Sequence, residues 1–313
     1  MRKTAAALLL LVLLLLCIGC GRQNQASVHN TQTPRVSAIL PHHDDGYWSF
    51  IGEGILDAAK NLPLDVKIDT PNLNYNVEQM TELILQQVAA QVDALIVQGI
   101  DDPQYIAALE TARAQGIRVV LVDTDLSGFQ ADLYVGTDNL EAGRQMGKRL
   151  IEVTGGRANV AILSGDVGYP NLEQRIQGIR EAIRNCPDIR ILRIEYDKYD
   201  AMTVMEKYND IRKSNPEIDT LVGVEGTSGQ TLSQLKESGF RHILVFDAND
   251  ESISGLENGL FDGIMCQQNY HMGQVCIQQL NQLFTDGSFS QEKIYTSVDW
   301  MAREELEVAA HGE

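Results

Sequence analysis

Short runs of β-branched and apolar residues alternate with longer amphipathic patterns through most of this chain. The runs ALIV at 94–97 and VVLV at 119–122 are continuously apolar, which is typical of parallel strands buried on both faces. The longer stretches carry apolar residues at a spacing of three to four, which predicts helices between the strands. This alternation favours an α/β fold built on doubly wound parallel sheets.

The alternation runs through the chain twice, in two series of similar length. The predicted strands are 36–40, 65–69, 94–98, 118–123 and 133–137 in the first series, and 158–163, 190–194, 220–224, 242–246 and 263–266 in the second. The predicted helices are 46–61, 76–91, 103–115, 139–153, 171–185, 202–214, 229–239, 251–258 and 270–286. We therefore expect two similar lobes, each with its own core.

The first twenty residues are predicted to be a targeting segment. Arg2 and Lys3 precede an apolar run at 5–18, which is too short to span a bilayer comfortably. The run ends in Gly19-Cys20, which resembles a bacterial lipobox with Cys20 as the lipidated residue. An ordinary secretory signal or an uncleaved anchor is the alternative. The polar residues that follow predict a flexible tether.

These features divide the chain into four predicted parts. A hinge of three chain crossings is expected near 137–138, 267–268 and 295–297. The parts are a signal peptide at 1–19, a tether at 20–34, an N-terminal lobe at 35–137 plus 268–296, and a C-terminal lobe at 138–267 plus 297–313.

The composition restricts the partners. A formal net charge of −18 argues against nucleic acid and against an anionic membrane surface, because both need clustered lysine and arginine. Beyond the predicted targeting segment the chain has three cysteines, which are Cys186, Cys266 and Cys276. Their unrelated spacings predict small buried residues rather than disulfides or a zinc site.

Polar side chains recur where the predicted strands end. Any one of them is readily explained as a helix cap or turn residue. Together they predict a small-molecule site, because the carboxyl ends of parallel strands share one edge and two such edges form a cleft. These residues are Asp44, Asp45, Gln98, Asp123, Asp125, Thr137, Asp138, Ser164, Gly165, Asp166, Glu225, Asp247 and Gln267.

The loop after the first predicted strand reads HHDDGYW and has two interpretations. It is either a binding loop with two carboxylates and two large aromatic rings, or a solvated turn in which Asp44 or Asp45 caps the helix. A metal site at His42, His43 and Asp44 is a weaker alternative, because adjacent histidines rarely converge on one ion. No cofactor or metal is predicted.

From residue 35 onward the chain resembles the ribose- and galactose-type periplasmic sugar-binding proteins, whose ligand lobe is shared with regulators of the lac repressor family. Each motif is loose, but their order and spacing through both lobes are specific. The motifs are HHDDGYWSF, ALIVQGID, VVLVDTD, YVGTDNLEAGRQMG, ILSGDVGYPNLEQRIQGI, NPEIDTLVGVEG and ILVFDAND.

The resemblance implies roles for residues in the first lobe. Asp45 matches a residue that binds sugar hydroxyls, and Tyr47 matches an aromatic that stacks on one face of the ring, with Trp48 beside it. Asp123 matches a carboxylate that accepts from hydroxyls, although Thr124 stands where ribose binders have arginine, and Asp125 could compensate. The resemblance also implies a polar contact at Gln98. Asp138, a strand-end residue at the first hinge crossing, is a further candidate contact.

The resemblance also implies residues in the second lobe. Arg175 matches an arginine that donates to sugar oxygens, and Tyr199 matches the aromatic that covers the opposite ring face from Tyr47. Glu225 stands where relatives usually have asparagine, which makes the cleft richer in carboxylates and favours a neutral polyol or a sugar bearing an amine. The other implied contacts are Tyr169, Asn171, Asp247 and Gln267.

These observations predict a lipid-anchored, extracytoplasmic, monomeric protein that closes on a monosaccharide or polyol and delivers it to an ABC transporter permease. A sensor that presents its closed form to a membrane histidine kinase or chemoreceptor is the alternative. An enzyme is disfavoured because the sequence has no GxSxG, GxxxxGK[ST] or GxGxxG motif. A transcription regulator is disfavoured because no basic helix-turn-helix segment precedes residue 35.

Overall fold

The computed structural model describes residues 33–42, 46–167 and 169–303. The predicted signal peptide, the tether up to residue 32 and Cys20 lie outside the described residues. In the described part, the strands are β1 (Arg35–Ile39), β2 (Asp65–Asp69), β3 (Ala94–Gln98), β4 (Arg118–Val122), β5 (Leu133–Thr137), β6 (Ala158–Ser164), β7 (Ile189–Tyr196), β8 (Thr220–Gly223), β9 (His242–Phe246), β10 (Gly263–Gln267), β11 (Lys293–Thr296) and β12 (Val298–Ala302).

The helices lie between these strands and cover both faces of the sheets. They are α1 (Gly46–Ala59), α2 (Val77–Ala89), α3 (Pro103–Ala114), α4 (Asn139–Thr154), α5 (Pro170–Ile183), α6 (Ala201–Ser214), α7 (Gly226–Leu232), α8 (Asp250–Glu257) and α9 (Asn269–Asp286). The predicted alternation of strands and helices is confirmed.

The strands form two six-stranded sheets with the same order of elements. The first sheet runs β11-β5-β4-β3-β1-β2 and the second runs β12-β10-β9-β8-β6-β7. All pairs are parallel except β10 with β12, which is antiparallel. The two-lobe α/β architecture predicted from the sequence is therefore confirmed.

The chain passes between the two sheets along one edge of each. It leaves the first sheet after β5, returns between β10 and β11, and leaves again between β11 and β12. The strands joined by these passages, β5, β10, β11 and β12, lie at the same side of their sheets, so β2 and β7 form the opposite edges. The cleft between the lobes is therefore joined at one end and open at the other.

Each sheet is buried by an apolar cluster on each face. In the first lobe the strand residues alternate between the two clusters: Ala94 and Ile96 pack with α1 and α9, while Leu95 and Val97 pack with α2 and α3. The second sheet is arranged in the same way, with α4 and α5 on one face and α6, α7 and α8 on the other. This double burial explains why the central strands are continuously apolar.

The structure differs from the sequence prediction at α7. We expect a helix over 229–239 from the sequence, but α7 begins at Gly226 and ends at Leu232. The helix begins earlier because the Glu225 carboxylate accepts hydrogen bonds from the first backbone N–H groups of the helix. Strands β11 and β12 are additional to the predicted set.

Cys276 is buried, whereas Cys186 and Cys266 are only half-buried, and none of the three forms a disulfide within the described residues. The expectation that all three are buried holds fully only for Cys276. Within the described residues, no helix is long and apolar enough to cross a membrane.

Candidate functional site

Asp123 and Asp247 stand at equivalent places in the two lobes, directly after β4 and β9. Both have a φ of 67°, in the left-handed region that non-glycine residues seldom adopt. Each is held there by a backbone hydrogen bond of 2.9 Å from its N–H, to Val135 in the first lobe and to Met265 in the second. This backbone conformation costs free energy, and such strain is characteristic of functional sites.

The Asp123 carboxylate is the centre of a hydrogen-bond cluster in the first lobe. Its Oδ1 accepts from the Tyr47 hydroxyl, and its Oδ2 accepts from the Thr124 hydroxyl at 2.6 Å and from the Gln98 amide at 3.4 Å. The Tyr134 hydroxyl donates to the Asp123 main-chain carbonyl at 2.8 Å. Sequence-predicted Tyr47, Gln98 and Asp123 are thus brought together.

Charged groups of both lobes act on Tyr47. Burial, followed by the negative charges of Asp123 and Asp247, raises the pKa of the Tyr47 hydroxyl well above its usual value, while Arg175 opposes the shift. Asp123 belongs to the first lobe, whereas Asp247 and Arg175 belong to the second. The charged groups of the two lobes therefore face one common cleft.

Arg175 lies on α5 and is 2% exposed. Its Nε donates to the Asn139 side chain at 2.8 Å, its Nη1 donates to the Val224 carbonyl at 2.8 Å, and its guanidinium lies 4.4 Å from the centre of the Phe246 ring. Among the described residues Nη2 has no hydrogen-bond partner. The side chain is fixed in one orientation and retains an open donor.

Close helix packing fixes the backbone of Arg175. A Cβ on Gly143 of α4 would lie 2.1 Å from the Arg175 carbonyl oxygen, so only glycine permits this approach of α4 and α5. Asn139, at the start of α4, accepts from Arg175 and donates to the Thr137 carbonyl at 3.1 Å. Sequence reasoning missed Asn139, although its position beside the predicted first hinge crossing was a usable signal.

Asp247 is linked to the chain crossings. Its Oδ1 accepts a 2.8 Å hydrogen bond from the Gln267 amide. Burial raises the pKa of Asp247 to about 6, with Asp123 and Glu225 adding to the rise and Arg175 and Gln267 opposing it. Sequence-predicted Asp247 and Gln267 therefore share one network with the cleft charges.

Three buried polar atoms of the second lobe have no hydrogen-bond partner among the described residues. They are Asn171 Oδ1, Ser164 Oγ and Asp197 Oδ2. Asn171 lies one helical turn before Arg175 on α5, so its open acceptor and the open Nη2 donor lie on the same face. Because buried polar atoms are normally paired, these atoms indicate that a polar partner is added here.

The Asp197 and Glu225 carboxyl groups form a pair behind Tyr199. Burial, and then the negative charge of Glu225, raises the pKa of Asp197 to about 8. The Oδ1 atom of Asp197 accepts from the Tyr199 backbone N–H at 2.9 Å. Sequence reasoning missed Asp197, whose position directly after β7 was the available signal.

Tyr199 and Tyr169 form an aromatic pair on the second lobe. Their ring centres lie 5.5 Å apart with an interplanar angle of 78°. Burial is the largest cause that raises the pKa of Tyr199, and Arg175 opposes the rise. A Cβ on Gly165 would lie 2.2 Å from the Tyr199 ring, so this glycine makes room for it.

Several sequence-predicted residues have structural contacts instead of an open position in the cleft. Trp48 packs in the core and donates from Nε1 to the Tyr75 hydroxyl at 3.0 Å. Asp125 pairs with Lys293 at 2.5 Å. Asp138 is exposed and caps α4, and Glu225 caps α7 with both carboxylate oxygens.

The opening loop is only partly described. Asp45, His43 and Asp44 lie outside the described residues. His42 packs 5.7 Å from Tyr75, between ring centres. No group of three metal-ligating side chains occurs in the part of the chain that the structure describes.

Known proteins share this fold and about a quarter of its aligned residues. Residues 36–288 match the periplasmic binding protein domain. A D-apiose import binding protein of Actinobacillus succinogenes is 21% identical over 266 residues, which are 82% of this chain and 84% of that protein. A xylitol-binding protein of Mycolicibacterium smegmatis is 27% identical over 257 residues, or 79% of this chain and 71% of that protein.

Among solved structures, a glucose-galactose binding protein from Geobacillus stearothermophilus superimposes with a TM-score of 0.80 and 26% identity. The match covers 88% of this chain and 99% of that one. The chain therefore belongs to the periplasmic binding protein domain family.

Proposed function

We propose that this protein binds a monosaccharide or a related polyol between its two lobes and delivers it to an ABC transporter permease. The observation that carries the proposal is the shared electrostatic environment of Tyr47, which Asp123 of its own lobe and Asp247 and Arg175 of the other all influence. A polar ligand enclosed there contacts both lobes at once, which favours the closed arrangement.

The side chains at the cleft match the surface of a sugar. Hydroxyl groups donate to the carboxylates of Asp123 and Asp247, while the Arg175 guanidinium donates to ring or hydroxyl oxygens. The open acceptor of Asn171 takes a further hydroxyl. Tyr47 and Tyr199 cover the apolar faces of the ring, one from each lobe.

The balance of charge selects the class of ligand. The carboxylates of Asp123 and Asp247 face the cleft, the charge of Glu225 reaches Asp247 from the start of α7, and Arg175 is the cation that acts on Tyr47, Tyr199 and Asp247. A phosphate or carboxylate on the ligand would be repelled by the excess negative charge. We propose a neutral sugar or polyol, or a sugar bearing an amine, as the ligand.

Binding rather than catalysis accounts for the paired acids. Asp123 already accepts from Tyr47, Gln98 and Thr124, and Asp247 accepts from Gln267. Such fixed acceptors suit the recognition of sugar hydroxyl groups. We therefore assign no catalytic residue.

The remaining parts of the proposal concern location and partners. A lipid on Cys20 and the tether at 20–34 would hold a monomer at the outer side of the cell membrane, beside its permease. The similarity to a D-apiose import binding protein of Actinobacillus succinogenes supports a role in uptake. Neither nucleic acid nor a cofactor has a part in this function.

A thermal-shift screen tests the proposal. Purified protein is heated with ribose, xylose, galactose, glucose, xylitol, glucosamine, glucose 6-phosphate and glucuronic acid. We expect at least one neutral sugar, polyol or amino sugar to raise the melting temperature, because a ligand at 100 times its dissociation constant stabilises the fold by about 2.7 kcal/mol. Stabilisation by only the phosphate or the acid would contradict the charge argument.

A further inference from the structure

Two tyrosines occupy equivalent positions in the two lobes, apart from the polar centre of the cleft. Tyr75 directly precedes the N-cap of α2, and Tyr199 directly precedes the N-cap of α6. Both have a φ of 57°, a left-handed conformation that costs a tyrosine free energy. The same residue type in the same strained conformation on both lobes indicates a shared role.

Both tyrosines belong to the open end of the cleft. Tyr75 follows β2 and Tyr199 follows β7, the strands at the sheet edges opposite the chain crossings. Their side chains are 53% and 43% exposed. Because carboxyl ends of strands face the cleft, these rings stand where an enclosed ligand would emerge.

Each ring is also connected to the inner site. The Tyr75 hydroxyl accepts from Trp48, and the Trp48 ring packs edge-on against Tyr47 at 5.5 Å. Tyr199 lies close enough to Arg175 for that charge to affect its pKa. The aromatic surface at the open end is therefore continuous with the groups that we propose contact the sugar.

Apolar exposure is concentrated at this end of the molecule. Of the twelve large hydrophobic side chains that are exposed within the described residues, six lie in the loops after β2, β6 and β7 or at the first turn of α6. We call this set the mouth cluster, and it consists of Leu73, Tyr75, Val167, Tyr169, Tyr199 and Met202. Exposed apolar side chains on both lobes at the open end of the cleft mark a candidate binding surface.

We infer that the mouth cluster is a second subsite, which binds a further sugar ring attached to the one enclosed between Asp123, Asp247 and Arg175. The inner groups are charged and suit the hydroxyls of the first ring, which Tyr47 and Tyr199 cover, whereas Tyr75 and the rest of the mouth cluster offer apolar and aromatic faces that suit a second ring next to Tyr199. A ligand with two linked rings fills both. The inference rests on the proposed function and extends it from monosaccharides to disaccharides.

Calorimetric titration of matched sugars tests this inference. The pairs are glucose with cellobiose and maltose, galactose with lactose and melibiose, and xylose with xylobiose. We expect at least one disaccharide to bind about tenfold more tightly than the monosaccharide that it contains. Binding of a monosaccharide together with rejection of every disaccharide would overturn the second subsite and leave the proposed function intact, whereas wild-type protein that binds no sugar would overturn both.

Variants of mouth-cluster residues test whether this cluster causes the tighter binding of the disaccharide. Tyr75→Ala should remove most of the disaccharide advantage while monosaccharide affinity changes less than about threefold, and Tyr75→Phe should retain the advantage because it keeps the ring. Met202→Ala changes a side chain that is 82% exposed and contributes little to folding. This variant should also reduce the difference in affinity between the disaccharide and the monosaccharide. The matched control Tyr270→Ala removes an exposed tyrosine from α9 and should change neither affinity. Equal losses for both sugars in Tyr75→Ala, or no loss in Tyr75→Ala and Met202→Ala, would contradict the inference.

Discussion

The Thr137 hydroxyl donates a 2.7 Å hydrogen bond to the side-chain carbonyl of Gln267. Thr137 ends β5 at the first crossing between the lobes, and Gln267 ends β10 at the second. Gln267 in turn donates to the Asp247 carboxylate. A chain of two hydrogen bonds therefore connects the crossings to a charge in the cleft.

Thr137→Val tests this connection. The substitution keeps the shape of the side chain and removes the donor, so Gln267 loses the contact that fixes its amide. We expect a loss of unfolding free energy of about 1 kcal/mol and a weakening of sugar binding by severalfold, because Gln267 no longer holds Asp247 in one orientation. Urea denaturation and calorimetry measure the two effects. Unchanged affinity would show that the connection has no part in binding.

Asp123→Asn tests whether the two lobes share one electrostatic site. The negative charge of Asp123 helps to raise the pKa of Asp247 to about 6, so its removal should lower the Asp247 pKa. Carbon-detected NMR titration of the side-chain carboxyl groups measures this shift. An Asp247 pKa that does not change would mean that the two carboxylates do not face each other in solution.

Asp197→Asn tests whether the Asp197 carboxyl group keeps its proton in the folded protein. The folded protein holds a proton on Asp197 up to a pKa of about 8, whereas the unfolded chain releases it near the ordinary aspartate value. Between these two pKa values the folded state binds more protons, so its stability falls as pH rises through that range. Asparagine keeps the side chain neutral at every pH.

The stability of Asp197→Asn should therefore fall less than that of wild type between pH 5 and pH 9 in urea denaturation. Asp247→Asn serves as a comparison. Because the pKa of Asp247 is raised only to about 6, this substitution should change the pH dependence of stability only in the lower part of that range. Parallel stability curves for wild type and Asp197→Asn would show that Asp197 is ionised in the folded protein.

Gly165→Ala tests the position of Tyr199 without altering the tyrosine. A Cβ at this residue would overlap the Tyr199 ring, so the ring must shift from its position. We expect Gly165→Ala to weaken sugar binding, and we expect little further loss when it is combined with Tyr199→Ala, because both changes remove the same contact. Additive losses in calorimetry would show that Gly165 acts independently of Tyr199.

The fold was predictable from the sequence because burial on both faces leaves a clear pattern. Residues 94–98 have no alternative to a buried strand, and β3 has those bounds. The bounds of α7 were not predictable, because they depend on the Glu225 side chain turning back to cap the helix. Strand β12 is recognised only by its antiparallel pairing with β10.

The site was predictable only in part. Asp123, Asp247 and Arg175 follow from strand ends and motif positions. The ion pair of Asp125 and the helix cap of Asp138 could not be predicted, because a sequence does not distinguish a cap or an ion pair from a ligand contact. Asp197 was missed because its role depends on Glu225, a residue 28 positions away in the chain that approaches it only after folding.

Sugar binding through Arg175 is tested most directly by calorimetry. The best sugar or polyol from the thermal-shift screen is titrated into wild type, Arg175→Lys and Arg180→Lys. Lysine cannot reproduce the fixed guanidinium fork, and losing one or two charge-assisted hydrogen bonds costs about 1.5–3 kcal/mol each. We expect one bound sugar per chain, an affinity at least tenfold weaker in Arg175→Lys, and unchanged affinity in Arg180→Lys, whose side chain is exposed on the same helix. Equal affinity in all three proteins, or no sugar binding by the wild type, would contradict this expectation.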